Sequence, residues 1–214
     1  MREIEMIAVP ILIAIVAFLI GSIPFGYIIG RLFYHTDIRS QGSGNIGAMN
    51  ALRTLGKGGA VAVLLLDALK GFVPTIVTMW LFRHRFDFDI EGLPQGDQLL
   101  GSLVAMAAVL GHCFSPWLRF KGGKGVATFF GTIFALCWPA GLVAIGGWIA
   151  GALLTRYSSV GSLLGSIAAP IAIWFFTASP VETLYGVCAA LLIVFTHREN
   201  IARLRAGTEG AIRL

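Results

Sequence analysis

The chain is 214 residues long; 57% are hydrophobic, 13% are charged, the net charge is +5 and mean hydropathy is +0.82. A soluble domain carries about 25% charged residues, so this chain has too little polar material to cover a water-facing surface. That excludes an ordinary soluble enzyme, a disordered chain and a free nucleic-acid binder. A span with its loop takes about 25–30 residues, because ~20 apolar residues cross the hydrocarbon core. The length therefore admits roughly seven spans in one integral-membrane domain, residues 1–214.

The first predicted span is 6–30. It is longer than a signal core, and Arg2 is accompanied by Glu3 and Glu5, so it reads as a retained span. It closes on Gly21-Ser22-Ile23-Pro24-Phe25-Gly26, where small residues and a proline predict a kinked, close-packed helix, with Ser22 a further candidate to reach a site. A glycine-rich, charged loop follows, Arg31 to Lys57. The second span, 58–82, carries Asp67 and Lys70 at i and i+3. Intramembrane charges face the protein interior and pair, so a structural pair holding the loop above it is expected. The next loop, Arg83 to Asp97, holds four acids and two arginines.

The third span covers 98–116 and leads into a basic loop, Trp117 to Gly125. Residues 126–155 are apolar and interrupted by Trp138-Pro139, which predicts two short helices meeting in a tight turn. Arg156 to Val160 forms a polar turn before the sixth span, 161–177. After a turn with Pro180, the seventh span is 183–196, and a basic amphipathic tail ends the chain. Cys113, Cys137 and Cys188 are widely spaced in apolar surroundings and read as small buried hydrophobes.

Lysine and arginine set the orientation. Placing the 31–57 loop, the 117–125 loop, Arg156 and the tail on one side gathers twelve of the 16 basic residues there. Only Arg2, Arg83 and Arg85 fall opposite, and Lys70 lies inside a span. The expected architecture is an all-α polytopic membrane protein of about seven helices, N-terminus outside and C-terminus cytoplasmic.

Every conspicuous polar motif falls on the basic side. Gly42, Gly44 and Gly47 have the G-x-G-x-x-G spacing, but no strand precedes them, so a dinucleotide fold is rejected. Successive glycines still allow backbone N–H groups to converge on an anion, with Ser43, Asn45 and Asn50 as neutral donors and Arg53 as a two-pronged phosphate partner. A surface turn that needs glycine is the plain alternative. The second motif, Lys121-Gly122-Gly123-Lys124-Gly125 before an apolar helix, lacks the Walker A order. It suits an anion at a helix start; positive-inside anchoring is the alternative. The third, His197-Arg198-Glu199-Asn200-Ile201-Ala202-Arg203-Leu204, places Asn200 and Arg203 on one face if helical, or forms an interfacial basic helix. Ser158, Ser159 and Ser162 are further donors on this side, and His112 ends the third span as a packing residue or a contact.

Two patterns are set aside. His84 to Asp89 fits an H-x4-D acyltransferase spacing, but lies in the acidic loop across the membrane from the glycine and lysine motifs. The four histidines are scattered without a carboxylate cluster, so no metal site or cofactor is expected.

Together these residues resemble the bacterial membrane glycerol-3-phosphate acyltransferases that use acyl-phosphate as donor, the PlsY family. Gly42 to Arg53, Lys121 to Thr128, and His197 to Leu204 with Gly207 and Glu209 behind carry the resemblance, joined by Gly21 to Gly26, Asp67, Lys70-Gly71, Pro74 and Gly111-His112. Met49 stands where the family usually has Thr, and Thr196 where a basic residue often precedes the His. The resemblance implies acyl transfer from acyl-phosphate to the 1-hydroxyl of sn-glycerol 3-phosphate in phospholipid synthesis, at the cytoplasmic face of the inner membrane. It also implies a donor supplied by an acyl-phosphate synthase.

On this reading Ser43, the glycine amides beside it and Arg53 hold one phosphate, while Lys121 and Lys124, with Gly122 and Gly123, hold phosphate or the developing oxyanion. His197 and Asn200 orient glycerol 3-phosphate, with Ser159 and Arg203 assisting. The competing class is a transporter or channel for a phosphorylated solute. Against it, the charges cluster on one face and trace no path across the membrane.

Overall fold

The computed structural model describes residues 2–84 and 96–212, with side chains from Ala8 onward. Regular structure among these residues is helical. The first apolar stretch is two helices, α1 (Arg2–Gly21) and α2 (Phe25–Phe33), broken at Ser22–Pro24. Pro24 has no N–H to continue the ladder. The carbonyl it would have met, Ile20 O, takes the Ile23 N–H instead, and the next open carbonyls find partners on other segments: Ser115 Oγ donates to Ser22 O at 2.7 Å and Lys70 Nζ to Ile23 O at 2.8 Å. The expected kink is thus an interruption of the helical ladder within one span, Ala8–Phe33, held by groups outside the helix.

A short helix α3 (Ala48–Thr54) leads into α4 (Gly56–His84), and α5 is Gly96–Cys113. Residues 126–155 give α6 (Val126–Leu136) and α7 (Trp138–Thr155), joined at Cys137. The turn falls before Pro139, which sits in the first turn of α7, where its missing N–H costs nothing. Then come α8 (Ser158–Thr177), α9 (Pro180–Thr196) and α10 (Arg198–Arg205).

Five described segments are long and apolar enough to cross a membrane: Ala8–Phe33, Gly56–His84, Gly96–Leu118, Trp138–Thr155 and Ser158–Thr177. Counting α9 with α10, bent by 56°, makes six. The seven-span expectation counts α6 as a crossing, yet its 11 residues rise only about 16 Å, roughly half the hydrocarbon thickness.

The central element is α5, which packs against α1, α4, α6 and α9. Small residues permit the close crossings. A Cβ on Gly131 of α6 would stand 2.1 Å from Ala68 O of α4, and one on Gly161 of α8 would stand 2.4 Å from Trp148 O of α7. Phe129, Ile133, Ile173 and Ile193 are fully buried between α6, α8 and α9. A second core, Ile29, Ile38, Ile46, Ala51, Leu55 and Val63, pins the first glycine loop onto α2 and α4. On the outer faces, Leu65, Val73, Val77, Leu154, Ile171 and Phe175 remain exposed, a lipid-facing surface.

Candidate active site

The first glycine loop is organised by Asn50. It is 2% exposed; its amide donates to Ile38 O at 2.7 Å and Gln41 O at 3.2 Å, and its Oδ1 accepts the Ser43 N–H at 2.8 Å. Gly42 has φ +59, and a Cβ there would lie 2.2 Å from Asn50 Oδ1, so backbone conformation and space both require glycine. Asn45 Oδ1 accepts the Gly47 N–H at 2.9 Å, a local turn. Both donors of Asn50 and the acceptor of Asn45 are therefore engaged inside the loop. Ser43 and Arg53 line the adjoining cavity.

The second loop closes the end of α5. The Gly122 N–H donates to Cys113 O and the Gly123 N–H to His112 O, each at 3.0 Å, satisfying carbonyls that a helix end leaves open. Those two amides are consequently not directed at an anion. Lys121 is exposed, and Gly44, Lys121, Gly122 and Gly123 lie outside the cavity lining, whereas Lys124 belongs to it. Gly125, at φ +88, opens α6, whose first residues Val126 and Ala127 border the cavity. The positive end of the helix dipole thus faces the same space. Ser158 and Ser159, at the start of α8, bring a second such end.

The third motif is not one helix: α9 stops at Thr196, and the chain turns at His197 into α10. His197 is 2% exposed, with Nδ1 donating to Ile193 O at 2.8 Å. Asn200 Oδ1 accepts a hydrogen bond from Lys124 Nζ, and its Nδ2 donates to Glu209 Oε1 at 2.6 Å. Glu209 also accepts from Ser159 Oγ at 2.8 Å and from Arg203 Nε at 2.8 Å. Gly207, at φ +68, turns the tail back over the site, where Gly210 O accepts from Arg53 at 3.3 Å and Ile212 N–H reaches Arg156 O at 2.8 Å.

Glu209 therefore ties α8, α10 and, through Asn200, Lys124 into one network. Its residue type and spacing did not single it out as a site residue. The available signal was one carboxylate two residues past a turn glycine in an arginine-rich tail. Thr196, the departure from the family pattern, donates to Lys124 O at 3.0 Å and fastens that loop to α9. Met49, the other departure, lines the cavity.

Burial, then the nearby Arg203 charge, push the Lys124 ammonium down to about 8, against the pull of Glu209. Burial raises the Glu209 carboxyl, but hydrogen bonds from Asn200, Arg203 and Ser159 outweigh it and hold it below the usual carboxylate range.

These groups surround a cavity of ≈ 800 Å³. Ser43, Arg53, Lys57, Lys124, His197 and Arg203 line its polar end; Val61, Leu64, Phe130, Ile145, Trp148 and Ile149 line its apolar wall. Val61, Leu64 and Ile149 are also 54%, 47% and 44% exposed, so the wall on α4 and α7 continues into the lipid-facing surface. Asp67 and His112 border the cavity as well. Lys70 pairs with Asp67 at 2.7 Å and reaches the α1–α2 break rather than the first loop. Ser22 is fully buried and outside the lining, its hydroxyl shared between Leu19 O and Trp117 Nε1. Of the H-x4-D pattern, residues 85–89 lie outside the described residues.

The cavity thus has a cluster of cations, hydroxyls and helix starts at one end and an apolar wall at the other. The sequence model of the family described as Glycerol-3-phosphate acyltransferase matches residues 11–207. The chain belongs to that family. A glycerol-3-phosphate acyltransferase of Rhodopseudomonas palustris (strain BisB5) is 44% identical over 207 residues, spanning 97% of this chain and 98% of that protein. The one from Zymomonas mobilis subsp. mobilis is 43% identical over 216 residues, spanning 98% of each. The crystal structure of PlsY, an integral membrane glycerol 3-phosphate acyltransferase, in its glycerol 3-phosphate form superposes with a TM-score of 0.84 at 35% identity, covering 95% of this chain and 96% of that one. Its lysophosphatidic acid form gives 0.81 at 33% identity. The protein is a glycerol-3-phosphate acyltransferase embedded in the membrane by several helices.

Proposed function

We propose that the enzyme transfers an acyl chain from acyl-phosphate to the 1-hydroxyl of sn-glycerol 3-phosphate, yielding lysophosphatidic acid and inorganic phosphate. The observation that carries this reading is the single cavity whose cationic end joins an apolar wall open at the lipid-facing surface. Both substrates carry phosphate, and the donor also carries a fatty chain. A site for the pair needs both ends in one space.

An acyl-phosphate is already activated, since phosphate is a good leaving group. The glycerol hydroxyl oxygen attacks the carbonyl carbon, the bond from that carbon to the phosphate oxygen breaks, and phosphate leaves with the electron pair. The hydroxyl proton passes to a phosphate oxygen of the bound substrates. The protein positions the reactants and stabilises charge. Lys124, Arg53 and the α6 start meet phosphate or oxyanion; Ser43 donates to phosphate; His197 and Asn200 orient glycerol 3-phosphate, with Arg203 and Ser159 behind them. Gly42, Gly44, Asn45, Gly47 and Asn50 shape the first loop. Lys121, Gly122 and Gly123 hold the second.

The same reading places the N-terminus outside and the cavity's polar end at the cytoplasmic face of the inner membrane, with α6 and α9 among seven crossings. An acyl-phosphate synthase supplies the donor. The test uses protein purified in detergent, labelled glycerol 3-phosphate and palmitoyl-phosphate. Labelled lysophosphatidic acid without a sealed vesicle is the expected result. Turnover with acyl-CoA or acyl-carrier-protein, but none with acyl-phosphate, would contradict the donor.

A further inference from the structure

We infer that Asp67 and His112 are positioning residues for Lys124, acting through the main chain at Gly122 and Gly123. This rests on the reading that Lys124 meets a substrate phosphate. Asp67 and His112 are 1% and 3% exposed in the middle of a membrane protein, a costly place for such groups without a task. Asp67 Oδ1 stands between Lys70 Nζ at 2.7 Å and His112 Nδ1 at 3.6 Å. Lys70 is anchored in turn on Ile23 O at the α1–α2 break.

The other side of the imidazole lies against the second loop. A Cβ on Gly123 would fall 2.0 Å from His112 Nε2 and 2.8 Å from Cε1. Around that contact the loop is hydrogen-bonded down: Gly122 and Gly123 N–H donate to the α5 carbonyls at 3.0 Å, and Thr196 Oγ1 donates to Lys124 O at 3.0 Å. The imidazole is the side chain on which the loop rests immediately before Lys124. Its Nδ1 faces the Asp67 carboxylate at 3.6 Å, and the residue also borders the cavity. Gly123 is therefore glycine because it sits on His112. An amide that binds phosphate is not the reason, since its N–H is already engaged.

A kinetic double-mutant cycle tests this in the purified enzyme, alongside thermal unfolding in detergent. Gly123→Ala drives a methyl group into the imidazole and pushes the ring toward the cavity. The expected result is a KM for glycerol 3-phosphate raised about tenfold or more, with kcat changed less. His112→Ala removes the ring and is expected to raise the same KM about threefold; adding Gly123→Ala in that background does no further harm, because the obstacle is gone. Asp67→Asn, which keeps the shape and loses the charge, is expected to match His112→Ala. If Gly123→Ala alone does not fold, recovery of a folded, active enzyme by His112→Ala supports the linkage and continued failure overturns it. Independent, multiplying effects of the two substitutions also overturn it. Lys124→Met separates the levels: unchanged KM and kcat there would remove Lys124 from the phosphate site and this inference with it. An impaired Lys124→Met with an unrescued Gly123→Ala would remove the linkage alone.

Discussion

Lys124 is the residue on which the site's electrostatics turn. Burial and Arg203 hold its ammonium at about 8, below the 10.5 of a free lysine. The charged form is thus penalised in the fold: stability rises as pH climbs from about 8 toward 10.5, while the cation available to phosphate is lost as pH passes through about 8. The expected pH profile of kcat/KM for glycerol 3-phosphate declines above about pH 8. Lys124→Arg, whose guanidinium stays protonated, should move that decline to higher pH; an unchanged alkaline limb would assign it to another group. Asn50 carries a different kind of importance. Asn50→Ala removes the hydrogen bonds to Ile38 O, Gln41 O and Ser43 N–H; Gln41 O keeps the Gly44 N–H, while the carbonyl of buried Ile38 is stranded at a cost of about 1–3 kcal/mol. A fall in thermal unfolding midpoint together with activity is expected, whereas Met49→Ala should change the midpoint little. The sequence showed Asn50 beside glycines and arginine but not which way its amide faces. Its partners lie 9 and 12 residues back, a geometry that local spacing does not encode. Glu209 was harder still, since its meaning comes from Ser159, 50 residues earlier.

At the level of helices, hydropathy located nearly every apolar element, because an apolar run announces burial or lipid whatever its geometry. Length was the weaker signal. Residues 126–155 read as a divided stretch through Pro139, yet the division at Cys137 leaves α6 with 11 residues and α7 with 18. The break at Ser22–Pro24 was legible in its proline, while the Lys70 and Ser115 hydrogen bonds that sustain it come from distant segments. Close crossings of small residues hold these helices in place. Gly131→Leu would drive a side chain into Ala68 O and separate α6 from α4. A lowered unfolding midpoint is expected, from overpacking of about 1–3 kcal/mol or more, together with lost activity as Lys124 shifts with α6. Gly146, whose added Cβ would meet nothing within 4 Å, supplies the contrast: Gly146→Leu should leave both unchanged.

Across the molecule, three stretches separated by some seventy residues of chain meet at one cavity. Lys124 reaches Asn200, 76 residues away, and Arg53 reaches Gly210, 157 residues away. The basic asymmetry of the loops foretold a shared side for them, because positive charge is retained on the cytoplasmic face during insertion. That they would touch was not legible, since charge counting sorts sides and says nothing of distance. Single cysteines at Met49, Ala127 and Ser158, all cavity-lining positions outside the proposed binding set, test the meeting most directly. They are placed in a Cys188→Ala background, which leaves only the buried native thiols of Cys113 and Cys137. A membrane-impermeant maleimide is applied to oriented vesicles with and without glycerol 3-phosphate. All three positions should label from the same side, and glycerol 3-phosphate should slow every one; labelling from opposite sides, or labelling indifferent to glycerol 3-phosphate, would contradict a single shared phosphate site.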